Sequence, residues 1–248
     1  MNNINLPTTG QRIRRFRKER GYSQQQLELE ANLSFGCASR FESGETNPTK
    51  ETLNHISHVL TLSDREQEYL LGLIVGQAPA EEVAAARQYS QPYLTNCPNP
   101  IHISDDTWRL NDWNKPMLRL IGVSEDFANK FRSICTLDIL FHPDLPIHQN
   151  IPPEFWPEIA DYQVTQFQRE VGLWCDEQWY SDLLNRLHTY PDFTKYWEKA
   201  LRKDKNKLPD QERIFAIKGT NDTIKRYRVI DKRIDRHPRI NLIEWMPI

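Results

Sequence analysis

The chain has 248 residues, 38% of them hydrophobic and 27% charged, with a formal net charge of −2, and this length suits one or two domains of roughly 100–200 residues. No apolar run approaches the roughly 20 residues of a membrane-spanning helix, and the first residues lack the apolar core of a secretory signal. The four cysteines form no CxxC pair, so we expect neither a zinc site nor a disulfide framework, and a cytoplasmic location.

Residues 10–74 carry the start signals of short helices. Ser23 with Gln26, and Ser63 with Glu66, form capping boxes, and Thr49 is a further N-cap candidate. Apolar residues follow these signals at helical spacing. The segment therefore predicts an all-α domain of five helices, the first of them strongly basic.

The third of these helices has an unusual composition. Ser34 is its expected N-cap, and Ala38 and Phe41 have the spacing of a buried face. Burial of that face turns small, aromatic and basic residues outward: Phe35, Gly36, Ser39 and Arg40. The helix therefore presents a surface suited to contact with a partner.

Three segments, "SQQQLELEANLS", "SRFESGETNPT" and "ETLNHISHVL", together resemble the XRE-type helix-turn-helix of phage-repressor-like regulators. The resemblance implies a lambda-repressor-like domain whose third helix enters the major groove of double-stranded DNA while the second crosses the backbone. Arg40 is then expected to pair with guanine and Phe35 to contact a thymine methyl. The predicted DNA-binding set is Gln24, Ser34, Phe35, Gly36, Ser39, Arg40 and Asn47.

Other interpretations of these residues stay open. Arg40 also suits a phosphate contact or a salt bridge to Glu42 or Glu45. Phe35 also suits a core or a dimer contact. The basic run at 12–20 is commonly a solvated helix face, which on this fold also lies near phosphates.

The sequence departs from the family at two positions in this motif. Helix two usually has Ala where Glu28 stands, and helix three usually has Ile or Val where Ala38 stands. One residue is larger and the other smaller, so their volumes can compensate. Because burying a carboxylate is costly, we expect the Glu28 side chain to point outward.

The character of the sequence changes after Gly76 and Pro79. A connecting helix is predicted within residues 77–95. Ile101 and Ile103 alternate with polar neighbours as in a half-buried strand, and a second strand is predicted from Trp108. A helix starts at Asn114, and further helices and strands are predicted at 155–173, 176–189, 192–203, 213–219, 224–234 and 239–248.

This second half is similar to the C-terminal domain of MmyB-like transcription regulators, on "DDTWRLNDWN", "CTLDILFHPDL" and "DFTKYWEKALRKD". The resemblance implies a PAS-like α+β sensor with a small-molecule pocket. The whole chain is then an α+β multidomain protein with a helix-turn-helix domain at 1–76, a linker at 77–95 and the sensor at 96–248. It is expected to act as a homodimeric regulator that needs no cofactor.

Aromatic and apolar residues of the second half are candidates for lining a pocket that binds a small, largely apolar ligand. They are Trp108, Trp113, Met117, Ile121, Phe141, Trp156, Phe167, Tyr196 and Trp197. Each also suits an ordinary core position. The alternative is a ligand-free second domain that serves oligomerisation or protein interaction.

Enzyme chemistry has little support in the sequence. His142 and His148 stand near Asp144, but no third ligand follows at a spacing typical of metal sites. No G-x-S-x-G, P-loop or G-x-G-x-x-G motif is present. We therefore expect neither an enzyme nor a metal protein.

Overall fold

The computed structural model describes residues 6–143, 145–203, 213–218 and 223–248. The chain divides into two compact units. The first unit holds the chain up to Gly76 together with Leu173–Tyr180, and the second holds Gln77–Gly172 and Ser181–Ile248. Among the described residues, no helix combines the length and the apolar composition needed to cross a membrane.

The first unit is built from short helices. They are α1 (Thr9–Glu19), α2 (Gln24–Glu30), α3 (Cys37–Ser43), α4 (Lys50–Val59) and α5 (Asp64–Leu70). Capping boxes at Thr8, Ser23 and Ser63 start α1, α2 and α5. The Thr49 hydroxyl accepts an amide hydrogen bond at the start of α4. The predicted five-helix domain is confirmed, and four of its five helices start at a cap provided by neighbouring residues.

α3 begins later than predicted. Ser34 is not its N-cap, since the helix starts at Cys37 and Gly36 takes the N-cap position with a φ of 79°. That left-handed conformation suits glycine, which has no Cβ. Glycine also has no side chain to cap the helix. The acceptor comes from α2, where Glu28 Oε1 accepts a hydrogen bond from the amide of Ala38 at 2.8 Å.

A segment from far along the chain completes the core of the first unit. Trp174 is fully buried, and its indole Nε1 donates to the carbonyl of Ile74, 100 residues away in sequence, at 3.0 Å. Its ring meets Tyr69 edge-on, with centroids 6.4 Å apart. Glu177 Oε1 accepts from the amide of Gly76 at 3.1 Å. The division predicted from sequence, 1–76, 77–95 and 96–248, contains no sign of this contribution.

The second unit mixes helices and strands. Its helices are α6 (Ala80–Asn96), α7 (Lys115–Ile121), α8 (Glu125–Asn129), α9 (Thr136–Phe141), α10 (Pro146–Asn150), α11 (Trp156–Val171), α12 (Gln178–Leu187, which starts in the first unit) and α13 (Phe193–Leu201). Its strands are β1 (Ile101–Asp105), β2 (Leu110–Trp113), β3 (Ile214–Lys218), β4 (Ile224–Ile234) and β5 (His237–Pro247). Gly219, the last residue of one predicted strand, lies outside the described residues.

The five strands form one antiparallel sheet in the order β2-β1-β5-β4-β3. Helices α7 to α13 stand between β2 and β3 in the chain, which agrees with the predicted PAS-like α+β fold. On one face of the sheet, Ile101, Ile103 and Leu242 pack with Ala86 and Leu94 of α6. Alternate side chains of the same strands point to the other face.

Trp108 lies in a turn rather than in a strand, contrary to the prediction. β2 starts at Leu110, and Trp108 has a left-handed φ of 63°. Asp105 organises the turn, because its Oδ1 accepts from the amides of Thr107 and Arg109, each at 3.0 Å. A carboxylate-centred turn therefore replaces the alternating pattern expected there.

Candidate functional sites

The exposed side of α3 carries the central residues of the predicted DNA-binding set. Ala38 and Phe41 face the core, whereas Phe35, just before the helix, is 84% exposed. Ser39 and Arg40 are exposed as well. The start of α3 and its exposed side thus present one aromatic and one cationic side chain to solvent.

The other predicted DNA-binding residues lie at the edges of this face. Ser34 and Asn47 are exposed, and Gly36 is half-buried. Gln24 is half-buried too, and its Nε2 donates to Glu42 Oε2 at 3.0 Å. That hydrogen bond joins the start of α2 to α3.

A buried ion pair fixes α3 against α1. Arg17 Nε and Nη2 donate to the two carboxylate oxygens of Glu42 at 2.5 and 3.0 Å. Arg17 Nη1 donates to the carbonyl of Tyr22 at 2.6 Å. The two side chains are only 10% and 5% exposed. A bidentate arginine–carboxylate pair has a defined geometry, so it holds α3 in one orientation.

The basic run of α1 is not a uniform solvated face. Arg12 is buried, and its guanidinium donates to the backbone carbonyls of Pro7 and Tyr69. Burial lowers the pKa of Arg12. Arg14 and Lys18 remain exposed. The run therefore divides into structural arginines and exposed cations that can meet phosphates.

Glu28 points inward, so the expectation that it turns to solvent is wrong. Its side chain is buried and accepts the Ala38 amide hydrogen bond described above. Burial of a carboxylate is tolerated when it is hydrogen-bonded, and the positive end of a helix favours negative charge. Large Glu28 and small Ala38 thus complement each other where α2 meets α3.

The second unit contains a cavity of about 160 Å³. Its wall is mainly apolar and takes residues from all five strands and from α7 to α11. Four of the predicted ligand-binding residues line it: Trp108, Trp113, Met117 and Ile121. A largely apolar cavity with a few polar groups is the usual form of a small-molecule site.

The remaining predicted ligand-binding residues lie in an aromatic core instead of the cavity wall: Phe141, Trp156, Phe167, Tyr196 and Trp197. The ring of Phe141 meets Trp156 edge-on, with centroids 5.2 Å apart, and lies 6.3 Å from Tyr196. Phe167 meets the cavity residue Trp108 at 5.5 Å. These rings join α9, α11 and α13, so the aromatic residues divide between core and wall.

Charged groups of the cavity wall bind one another. Glu170 accepts from Trp108 Nε1 at 2.9 Å and from Arg213 Nη2 at 3.2 Å. Arg213 Nε donates to the hydroxyl of Tyr162 at 3.0 Å, and Nη1 donates to Asp231 Oδ2 at 3.4 Å. Burial raises the pKa of Asp231, although Arg213 opposes that shift. The charge of Arg213 is thus shared by two carboxylates.

A second set of polar wall residues is uncharged. His102, Ser104 and Asn241 line the cavity from β1 and β5. Burial lowers the pKa of His102 to about 4, so its imidazole is neutral at pH 7. The alternation at 101–104 indicated that His102 and Ser104 share a face. It did not indicate that this face borders a cavity, because that depends on the distant helices.

The two histidines considered as metal ligands contact aromatic rings. His148 lies 4.2 Å from the ring of Trp156, and His142 lies 5.4 Å from that of Tyr190, between centroids. Asp144, which stands between them in sequence, lies outside the described residues. Within the described ranges, no group of three or more His, Cys, Asp or Glu side chains is placed to hold a metal ion.

Comparisons with known proteins match the order of these two units. A family model for a helix-turn-helix matches residues 13–67, and a model for the MmyB-like transcription regulator ligand binding domain matches residues 86–209. A comparison with curated proteins finds no match. Among solved structures, the PAS domain of an HTR-like protein from Haloarcula marismortui is similar over 67% of this chain and 99% of that chain, at 10% identity and a TM-score of 0.28.

The two matched models describe regulatory domains, one that binds DNA and one that binds a ligand, and neither describes an enzyme. The ligand-binding model alone spans half of the chain. The chain belongs to the MmyB-like transcription regulators, with a helix-turn-helix DNA-binding domain followed by a ligand-binding domain.

Proposed function

We propose that the protein binds a specific double-stranded DNA sequence through the outer face of α3, and that a small, largely apolar molecule in the cavity changes its DNA affinity. The observation that carries this proposal is the cavity of about 160 Å³ in the same chain as a helix-turn-helix whose outer face is exposed. A cavity costs packing contacts, so its presence favours a binding role over a purely structural one.

On the DNA side, the exposed residues divide into base-reading and phosphate-contacting groups. Arg40 can donate two hydrogen bonds to guanine O6 and N7, and Phe35 can contact a thymine methyl. Arg14 and Lys18, exposed on α1, supply cations for the backbone. Arg17 and Glu42 hold α3 in place and are not assigned a DNA contact.

The path of the chain supports a route from the cavity to the DNA-binding unit. Glu170 in the cavity wall lies next to the end of α11 at Val171. Trp174, three residues further on, is buried in the core of the first unit. Because only two residues separate the end of α11 at Val171 from Trp174, we expect a shift at the end of α11 to move Trp174. A ligand then changes DNA affinity if it binds the two resulting conformations with different affinity.

We also propose that the protein works as a homodimer in the cytoplasm. One helix-turn-helix reads only a few base pairs. Dimers of this class place two recognition helices about 34 Å apart, one turn of the duplex. The second domain, which follows the first without a long linker, is the element we assign to setting that distance.

Substitution of Arg40 tests the assignment of α3. On a duplex selected from a random library, Arg40→Ala should weaken binding by about 1–3 kcal/mol at fixed salt and relax the preference at one position. Arg14→Ala is the matched control. It should weaken selected and unselected DNA equally and reduce the salt slope by about 1. An unchanged affinity of Arg40→Ala for the selected duplex would contradict this orientation of α3.

A further inference from the structure

Several uncharged polar side chains of the cavity wall have no hydrogen-bond partner among the described residues. Those of His102, Ser104 and Asn241 form no hydrogen bond with any residue that the structure describes. The indole Nε1 of Trp245, another wall residue, is buried and has no partner within the described chain. Polar groups inside proteins are normally hydrogen-bonded, because an unpaired one loses its hydration without compensation. Such a wall favours a molecule that provides the missing partners.

These groups are neighbours on one face of the sheet. Ser104 of β1 is the register partner of Asn241 of β5, and His102 is the partner of Ile243. The ring centroids of His102 and Trp245 are 6.4 Å apart. Side chains at alternate positions of paired strands share one face and lie within reach of each other. Together they form a neutral polar strip in an otherwise apolar wall.

The charges of the wall disfavour an ionic ligand. Arg213 is the one arginine or lysine among the described wall residues, and Glu170 and Asp231 already bind it. A carboxylate ligand would have to displace one of them. An ammonium ligand would meet carboxylates that are already bound to the arginine. The two carboxylates outnumber the arginine, but Glu170 Oε1 also lies 3.9 Å from Arg169 Nη2. Since burial of a charge is costly unless it is well paired, a ligand of either sign gains too little counter-charge to offset its lost hydration.

We propose that the cavity binds an uncharged molecule with an apolar body and one carbonyl group, whose oxygen accepts a hydrogen bond from the side-chain amide of Asn241. This inference rests on the proposed function and specifies its ligand class. The apolar body lies against Trp113 and Met117, which line the cavity. The cavity, at about 160 Å³, is close to the roughly 150 Å³ that holds benzene in an engineered protein cavity. A single substituted ring therefore matches its size.

Four probes of similar size distinguish the effect of ligand polarity on affinity from the effect of ligand shape. They are ethylbenzene, acetophenone, benzoate and benzylamine. The dissociation constant of each is measured by titration calorimetry on the full chain at pH 7.5 and fixed salt. Acetophenone should bind roughly 3- to 10-fold more tightly than ethylbenzene, the gain from one neutral hydrogen bond. Both ions should bind more weakly than ethylbenzene. The order of the probes on the unaltered protein does not depend on the folding of any variant.

The Asn241→Leu substitution tests whether the side-chain amide of Asn241 donates the hydrogen bond to the carbonyl oxygen of the ligand. It should keep the affinity for ethylbenzene and remove the advantage of acetophenone. Asn96→Leu, at an exposed position of α6, is the matched control and should change neither.

The outcomes distinguish this inference from the proposed function. Equal affinities for acetophenone and ethylbenzene, or tightest binding by an ion, overturn the carbonyl ligand while the cavity remains a binding site. An acetophenone advantage that persists in Asn241→Leu overturns the role of Asn241. If none of the four probes binds, the proposed ligand response is overturned together with this inference.

Discussion

One set of polar side chains in each unit shows how partners differ between the α3 contacts and the cavity wall. In the first unit, Arg12 meets backbone carbonyls, Arg17 meets a carboxylate and Glu28 meets a helix amide. In the second unit, His102 and Asn241 border a cavity and form no hydrogen bond with the described chain. The first set thus holds helices of the first unit in place, and the second leaves hydrogen-bonding capacity in the cavity wall.

This difference matches two physical tasks. A satisfied buried network rigidifies the elements that it joins, and here it joins α3 to α1 and α2. A cavity forfeits contacts between its lining atoms, so it lowers stability unless a ligand restores them. The first unit is therefore organised to hold a fixed surface and the second to admit a molecule.

The largest expected effect comes from Trp174, whose ring belongs to the core of the first unit. Trp174→Ala should destabilise that unit by about 3–5 kcal/mol, as truncation of a buried aromatic ring does. The destabilisation is measured as faster hydrogen exchange of the backbone amides of α1 and α5. Trp174→Phe is the control, because it keeps a ring against Tyr69 and loses the bond to Ile74 and part of the ring volume, so it should cost less, about 1–2 kcal/mol. Unchanged exchange in Trp174→Ala would mean that the first unit is complete without this segment.

A smaller effect is expected at Glu28. Glu28→Ala removes the acceptor for the Ala38 amide and should lower the stability of the first unit by about 1–2 kcal/mol, with weaker DNA binding as α3 loosens. Glu28→Gln retains an acceptor oxygen and should retain most of both. Glu30→Ala, at an exposed position of the same helix, should stay within about 0.5 kcal/mol. Urea denaturation measures the free energy of unfolding of each variant. Equal decreases in Glu28→Ala and Glu28→Gln would refute the capping role of Glu28.

The smallest effect is a pH dependence from His102 in the second unit. Its folded pKa of about 4 lies below the ordinary value of 6.5, so the unfolded chain binds the proton first as pH falls. The stability contribution is complete above pH 6.5 and is lost as pH falls towards 4. Because His102 is only half-buried, solvent screening reduces the effect, and we expect a loss below about 1 kcal/mol between pH 7 and pH 5.5. His102→Gln should flatten this part of the pH profile, and parallel profiles for the two proteins would contradict the assignment.

The features that were predicted correctly from the sequence are those set by residues close together in the chain. Ser23 and Ser63 each find their capping partner three residues away, so the helix starts could be read directly. The strands followed from two-residue alternation. The helices of the first domain and most strands of the second were therefore accessible from local patterns, whereas the PAS-like fold followed from the resemblance to MmyB-like regulators.

What sequence missed depends on contacts between distant residues. The direction of Glu28 is set by the glycine that starts α3, and the burial of Arg12 by carbonyls 57 residues away. In the sequence, Trp174 is one of many aromatic residues of the second half, and nothing nearby indicates its hydrogen bond to the carbonyl of Ile74. Likewise, Met117 and Phe141 are both apolar residues within helical segments. Only the tertiary structure shows that Met117 lines the cavity and that Phe141 packs in the aromatic core.

The central claim is that occupancy of the cavity alters DNA binding, and one titration tests it. DNA affinity of the full chain is measured at fixed salt while acetophenone is added, for the unaltered protein and for Met117→Trp, whose larger side chain fills part of the cavity. Acetophenone should change the DNA affinity of the unaltered protein and leave that of Met117→Trp constant. Equal responses of the two proteins, or no response of the unaltered protein under conditions where acetophenone binds, would contradict it.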